Sequence, residues 1–238
     1  MNKYKLYGAI LGDLAGQPFE FGEYKGKLRI HNPDSHITDD TLMTLATADS
    51  IMCNNPAEFE YKAMGKMYPG DYYGKNFKAW LKSSMGTVGD SWGNGCLMRI
   101  SPYMYLPNSL SQIMTSVMCS HSSDMAIESC VKLYRAYRGD FMHQDYAHCK
   151  TNKKFRVEAD ATIDLVLQVF KMGFSSTRTK ILEIIKMGGD TDTNASIIGE
   201  LSNFYLGDLN KKDIDYVESK LDKYQLDILK RFNHFLNK

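Results

Sequence analysis

The chain has 238 residues, 43% of them hydrophobic and 24% charged, with a formal net charge of +1. A chain of that size is expected to form one domain, residues 1–238, with a substantial apolar core. Its near-neutral charge gives no global field to draw nucleic acid or an anionic membrane, and no run approaches the roughly 20 apolar residues of a membrane span.

Helical spacing dominates from the start. Leu6, Ile10 and Leu14 make one apolar face, and Gly8, Gly12 and Gly16 recur one turn apart, which lets another helix or a ligand come close. Pro18 is expected to end this helix and leave Glu20 in an extended turn. A glutamate between Phe19 and Phe21 is unusual for a surface charge; it reads equally as a positioned carboxylate or as a partner at the helix end. Thr38-Asp39-Asp40-Thr41 opens a second helix that continues through Leu42, Leu45 and Ala46. Pro56 holds a natural first position ahead of Ala57 to Met67, and Phe77, Trp80 and Leu81 mark a further helix.

Ser91-Trp92-Gly93-Asn94-Gly95 is a glycine-rich loop leading into Cys96 to Ile100. Amides at a helix start suit phosphate, and Trp92 offers a stacking face; read alone, the loop is also an ordinary helix start. Asn108 is placed to cap Ile113 to Met118, and Ser123 to cap Met125 to Tyr137, with His121 just ahead. The polar stretch from about Gly139 to Glu158 is the expected flexible loop. Arg135, Arg138, Lys150, Lys153, Lys154 and Arg156 make the best local basic patch, whose plain reading is a solvated loop. Ala161 to Phe170, Ile181 to Met187, Ala195 to Leu206, Asp213 to Leu221 and Gln225 to Leu236 are apolar-periodic runs. Strand alternation is scarce, so about ten helices are expected to build a compact all-α globule.

Five cysteines, Cys53, Cys96, Cys119, Cys130 and Cys149, show no CxxC spacing and fit reduced thiols in a cytoplasmic protein. The first residues carry positive charge, but Gly8, Gly12 and Asp13 interrupt the apolar stretch that a signal peptide needs.

The two acidic strings carry the most chemistry. Thr38 to Thr41 alone is explained by capping and by favourable charge at a helix start. Gly188-Gly189-Asp190-Thr191-Asp192-Thr193 is explained less well that way, since a cap needs one such residue rather than two aspartates and two threonines. Brought together, the strings make a dense oxygen cluster whose carboxylates raise one another's pKa unless cations neutralise them. Such ligands suit magnesium, calcium or manganese rather than zinc.

In order, Gly8 to Glu20, Thr38 to Thr41, Gly93 to Arg99, His121 and Gly188 to Thr193 resemble the hallmarks of the ADP-ribosylglycohydrolase family: GAxxGDxxGxPFE, TDDT, GNGxxMR, a histidine before a helix, and GGDTDT. The resemblance implies a compact all-α fold with two magnesium ions, or manganese. One ion falls to Thr38, Asp39, Asp40 and Asp192, the other to Asp190, Asp192 and Thr193, with Asp192 bridging. Glu20 matches the family's active-site glutamate, and Glu20 or the ligand Asp40 is expected to transfer the proton. Ser91, Trp92, Gly93, Asn94, Gly95 and His121 fall where the family contacts ADP-ribose. The implied reaction releases ADP-ribose from a modified macromolecule, a protein carrying it on arginine first, with serine and nucleic-acid linkages also open. The expected protein is a monomer with no membrane partner.

The chain departs from the family in being short, in Trp92, in Cys96-Leu97 and in Gly199-Glu200-Leu201-Ser202, which replaces a run of small residues. Two other readings stay open: a catalytically silent ADP-ribose binder, and a metal hydrolase acting on a free nucleotide sugar.

Overall fold

The structure, a computed structural model, describes residues 3–20, 22, 26–140, 156–173 and 175–237. Phe21, Cys149, Lys150, Lys153 and Lys154, and most of the stretch expected as a flexible loop, lie outside these residues. Twelve α-helices and two 3₁₀ turns make up the described fold, with no sheet beyond two isolated bridges. In chain order the helices are α1 (Tyr7–Gly16), α2 (Asp39–Cys53), α3 (Ala57–Met67), α4 (Lys75–Leu81), α5 (Gly95–Met98), α6 (Leu110–Met118), α7 (Asp124–Tyr137), α8 (Ala159–Lys171), α9 (Thr177–Met187), α10 (Thr191–Leu206), α11 (Lys211–Lys220) and α12 (Lys223–Phe235). The all-α expectation holds. None of these helices is long and apolar enough to cross a membrane.

The centre of the molecule is α1 against α10. Every residue of α1 is buried, and α10 is buried from Thr191 to Asn203. The glycine stripe is the cause. A Cβ on Gly12 would lie 2.0 Å from the carbonyl oxygen of Ala195, one on Gly16 2.2 Å from that of Thr191, and one on Gly8 2.4 Å from that of Gly199. Real Cβ atoms do not approach backbone so closely, so α1 and α10 pack backbone to backbone only because these positions carry no side chain. Around this pair sit α2, α8 and α9, with α3 and α12 packed on α2 and α7 on α8.

Glu200 gives the departure at residues 199–202 a structural use. Helix α1 starts after Leu6 at φ 70° and has no side-chain cap of its own. Glu200, reaching across from α10, supplies one: its Oε1 accepts from the Leu6 amide at 2.7 Å and its Oε2 from the Ala9 amide at 3.0 Å, while the Tyr105 hydroxyl donates to the same carboxylate. A carboxylate here also meets the positive end of the α1 dipole. Glu200→Gln, which replaces one acceptor oxygen by a donor facing a donor, is expected to lower the unfolding free energy by about 2–3 kcal/mol, read from urea denaturation. A midpoint equal to that of the wild type would remove Glu200 from this role.

Three local expectations are corrected. Pro18 does not stop the chain in an extended turn. Helix α1 runs into a 3₁₀ turn, Gln17–Phe19, and Glu20 is helical at φ −52° and ψ −45°. Pro18 sits in the first turn of that segment, where a missing N–H breaks no helical hydrogen bond. Asn108 does not cap α6. It takes a left-handed turn at φ 50°, and the neighbouring Ser109 hydroxyl donates to the Tyr103 carbonyl instead of capping. The last two helices begin earlier than the apolar periodicity suggested, because Asp213 and Gln225 are the third-position members of capping boxes opened by Asn210 and Asp222. Ser123 caps α7 as expected, accepting from the Ala126 amide.

Candidate metal centre and cavity

The first turns of α2 and α10 meet beside α1. Thr38 caps α2, its Oγ1 accepting from the Asp40 amide at 3.3 Å. Gly188 and Gly189, both at positive φ (78° and 84°), turn the chain out of α9 so that Asp190 stands at the start of α10 with Asp192 in its first turn. The positive ends of two helices thus face one set of carboxylates, which favours negative charge there.

Two acidic triads result. Asp13, Asp40 and Asp192 place one oxygen each within 4.8 Å of one another, and so do Glu20, Asp190 and Asp192. Asp192 belongs to both. With Asp39 beside them, six carboxylates gather with no lysine or arginine ion-paired to any of them among the described residues. Asp40 Oδ2 accepts from Thr193 Oγ1 at 3.1 Å, but Asp40 Oδ1 is buried with no partner. A buried, unpaired carboxylate oxygen among like charges is costly, and a hard cation is the group that satisfies it. The residues present therefore fit divalent metal.

The electrostatics agree. Burial first, and then the neighbouring aspartates, push Asp39, Asp40 and Asp192 well above the usual carboxylate range. Half-buried Glu20 is raised to about 7, by burial and then by Asp190 and Asp13. Asp13 is also raised by burial, against four hydrogen bonds: it accepts from the amides and hydroxyls of both Thr38 and Thr41. Asp13 thereby clamps the first turn of α2 from α1.

A cavity of about 440 Å³ opens onto this cluster. Glu20, Asp39, Asp40, Asp190, Asp192 and Thr193 line one end, and Ser91, Trp92, Gly93, Asn94, Gly95 and His121 line another wall. Of the residues that the resemblance assigns to metal, substrate or catalysis, Thr38 alone is not on the lining. Its hydroxyl lies 3.0 Å from Asp13 Oδ1 and 3.3 Å from Asp40 Oδ2, so it holds Asp40 from behind.

Two amides of the glycine-rich loop, those of Gly93 and Asn94, are taken up within the protein. The Asn94 amide donates to the Val157 carbonyl at 2.8 Å and the Gly93 amide to Ser91 Oγ at 3.2 Å, because this loop is stitched to the residues before α8. Asn94 instead joins the acidic cluster: its side-chain amide donates to Asp190 at 2.8 Å and to Thr162 at 3.2 Å. Trp92 is 50% exposed, so its indole face is free at the rim.

His121 is buried and stays neutral, held well below the usual histidine range by burial and then by Arg99. Arg99 Nη2 donates to Ser120 Oγ at 2.7 Å, and Ser120 Oγ lies 2.8 Å from His121 Nδ1. Nδ1 is an acceptor within reach of the Ser120 hydroxyl proton, and a serine that donates there leaves the imidazole proton on Nε2. Gly95 keeps that edge open, since a Cβ there would stand 3.4 Å from Nε2.

Sequence reasoning passed over Asp13, Arg99 and the segment 71–77, which lines the cavity with Tyr72, Tyr73 and Phe77. Asp13 carried a readable signal, a charge in the middle of an otherwise apolar, small-residue helix. The 71–77 segment carried none.

A sequence model of the ADP-ribosylglycohydrolase family matches residues 5–144, more than half of the chain. The match takes in Glu20, the first acidic string, the glycine-rich loop and His121, and ends before the second acidic string. Comparison with curated proteins gives no significant match. Among solved structures, one titled "ADP-ribosylglycohydrolase-related protein complex" is 19% identical with a TM-score of 0.69, covering 98% of this chain and 99% of that chain. At that identity the likeness is one of fold.

Proposed function

The chain belongs to the ADP-ribosylglycohydrolase family, whose members hydrolyse ADP-ribose linkages, and we propose that it is a metal-dependent enzyme releasing ADP-ribose from arginine on modified protein. The observation that carries the reading is Asp192, shared by two acidic triads at the floor of a cavity with no cationic side chain paired to them among the described residues. Asp39, Asp40, Asp190, Asp192 and Thr193 would hold the ions, with Thr38 and Asp13 fixing Asp40 behind them. Bound there, two magnesium ions, or manganese, supply positive charge that orients the ribose hydroxyls and favours ionisation of a neighbouring water.

The reaction adds water across the bond from ribose C1 to the arginine nitrogen. The C1–N bond breaks and a C1–O bond forms, through an oxocarbenium-like transition state. One water proton stays on the new C1 hydroxyl and the other ends on the departing guanidine. Glu20 carries that second proton: it lines the cavity, is half-buried, and has a carboxyl raised toward the working pH, as a proton carrier needs. Asp40 is too enclosed for this and serves as a ligand. His121 Nε2–H donates to an oxygen of ADP-ribose, and Trp92 stacks at the rim beside the wall formed by Ser91 to Gly95.

The test is release of ADP-ribose from arginine-modified protein with magnesium, with manganese and with chelator. Release with either metal and none with chelator is expected. Release unaffected by chelator would sink the metal assignment, and no release alongside ADP-ribose binding would favour the silent binder. Glu20→Gln is expected to lower kcat by about 10²-fold or more while cation affinity, read by calorimetry, falls far less than in Asp192→Ala.

A pH effect follows from the raised carboxyls. Groups whose folded pKa lies above the unfolded value near 4 contribute stability that is complete below about pH 4 and is lost as pH rises through the folded value. The metal-free protein should therefore lose stability as pH rises above about 4, Glu20 giving up its share by about 7 and the strongly raised Asp39, Asp40 and Asp192 carrying the loss further. Because protons compete with cations for these oxygens, magnesium should raise the melting temperature more at pH 8 than at pH 5. Equal shifts at both pH values would mean that magnesium binds elsewhere.

A further inference from the structure

A second depression adjoins the cavity. It runs between α3 and α4, and the two share Asp71 and Tyr73 as a common rim. Its shape is built in. Gly65 of α3 lets Leu81 of α4 come close, since a Cβ there would lie 2.7 Å from the leucine side chain. Lys62 of α3 donates to the carbonyls of Ser83 and Ser84, each at 2.9 Å, and Glu58 accepts from the Gly86 amide at 2.9 Å. These bonds fix the far wall.

The floor is apolar and open. Phe59 is 51% exposed and Met85 54%, a large apolar surface that none of the described residues covers. The walls carry lysines four residues apart, Lys62 and Lys66 on α3, and Lys78 on α4 with Lys82 at its C-terminal cap. Lys62 pairs with Glu58 and Lys78 with Asp71. Lys66 and Lys82, both exposed, have no ion-pair partner among the described residues. Two unpaired cations on opposite walls above an apolar floor match an extended segment with acidic and apolar side chains in alternation. Nucleic acid fits less well. A single-strand site needs a row of stacking aromatics, and this floor exposes only Phe59.

We propose that the groove between α3 and α4 docks an acidic, apolar-anchored segment of the protein acceptor, leading the modified side chain over Tyr73 into the cavity. The proposal rests on the function given above for that cavity. It makes the preferred substrate a modified arginine close in sequence to an acidic and leucine- or phenylalanine-bearing stretch, rather than any exposed modified arginine.

The test uses the full chain and the double variant K66E/K82E, whose two positions touch neither the acidic cluster nor the cavity wall. The first probe is a fluorescein-labelled peptide of alternating glutamate and leucine, unmodified, followed by anisotropy. Binding to the wild type that weakens about tenfold or more in K66E/K82E, and weakens with salt, is the expected result. No binding to the wild type, or equal binding to both proteins, overturns the proposal. Tighter binding of a labelled single-stranded oligonucleotide than of the peptide also overturns it. The second readout is turnover. For a peptide carrying ADP-ribosyl-arginine beside the acidic stretch, KM should rise about tenfold in the variant with kcat unchanged, while both constants for free ADP-ribosyl-arginine stay the same. Loss on both substrates would place the effect in the cavity and overturn the docking role. Peptide binding by a wild-type protein that releases ADP-ribose from no linkage would defeat the proposed reaction and leave the groove standing.

Discussion

Replacing Asp192 with alanine is expected to remove cation binding and ADP-ribose release together, with turnover lower by about a thousandfold or more. Asp192 is the one carboxylate common to both triads, so its loss strips a ligand from each ion at once. Asp190→Ala and Asp40→Ala each disturb a single triad and should weaken cation binding without abolishing it. The same variant makes an opposite prediction for stability. In the metal-free protein Asp192 is a buried carboxyl held far above its ordinary range by burial and by Asp190 and Asp40. Removing it relieves repulsion, so at pH 8 with chelator Asp192→Ala should melt no lower than the wild type, and with magnesium it should melt lower. A structural carboxylate gives the reverse pattern, with a large loss of stability in chelator. Calorimetric titration with magnesium and melting curves in the two conditions distinguish these cases. Full activity in Asp192→Ala would end the metal assignment.

What the sequence made legible divides along a physical line. Helices with a continuous apolar face and a local cap, such as α7 behind Ser123, are written in neighbouring residues and were readable. The second acidic string was readable for a similar reason, because it packs more carboxylate and hydroxyl into one helical turn than a cap requires, whereas the first gained meaning only beside it. Contacts made across the fold were not. Asp13 looked like an interruption in an apolar helix, and only the structure joins it to Thr38 and Thr41 on α2. Glu200 looked like a departure from a small-residue run, and it caps a helix nearly two hundred residues earlier in the chain. The amides of Gly93 and Asn94 looked free because their acceptors are local in one case and distant in the other. The glycine stripe in α1 signalled close approach, yet it named neither partner nor purpose. Both follow once α10 is seen lying along it.

Gly12→Ala is the second large effect. An added Cβ would stand 2.0 Å from the Ala195 carbonyl oxygen and 2.7 Å from the Ser196 amide nitrogen. These are backbone atoms inside a buried helix, so no side-chain rotation relieves the clash, and α1 and α10 must separate. Overpacking a core costs about 1–3 kcal/mol where side chains can shift; a backbone clash at the centre of the fold should sit at or above the upper figure. Urea denaturation reads that loss. Gly74→Ala is the control, since Gly74 has φ −57° and open space around it, and it should leave the midpoint unchanged or slightly raised. The consequence reaches the metal centre. Asp13 lies next to Gly12, and Asp192 sits in the first turn of α10 just before Ala195, so any separation pulls Asp13 from Asp192 and loosens the clamp on Asp40. Gly12→Ala should then bind magnesium more weakly even at temperatures where it is fully folded. Destabilisation with undiminished cation affinity would show that the acidic cluster is held by α2 and α10 alone, with Asp13 dispensable to it. Wild-type stability would contradict the backbone contact on which the whole arrangement depends.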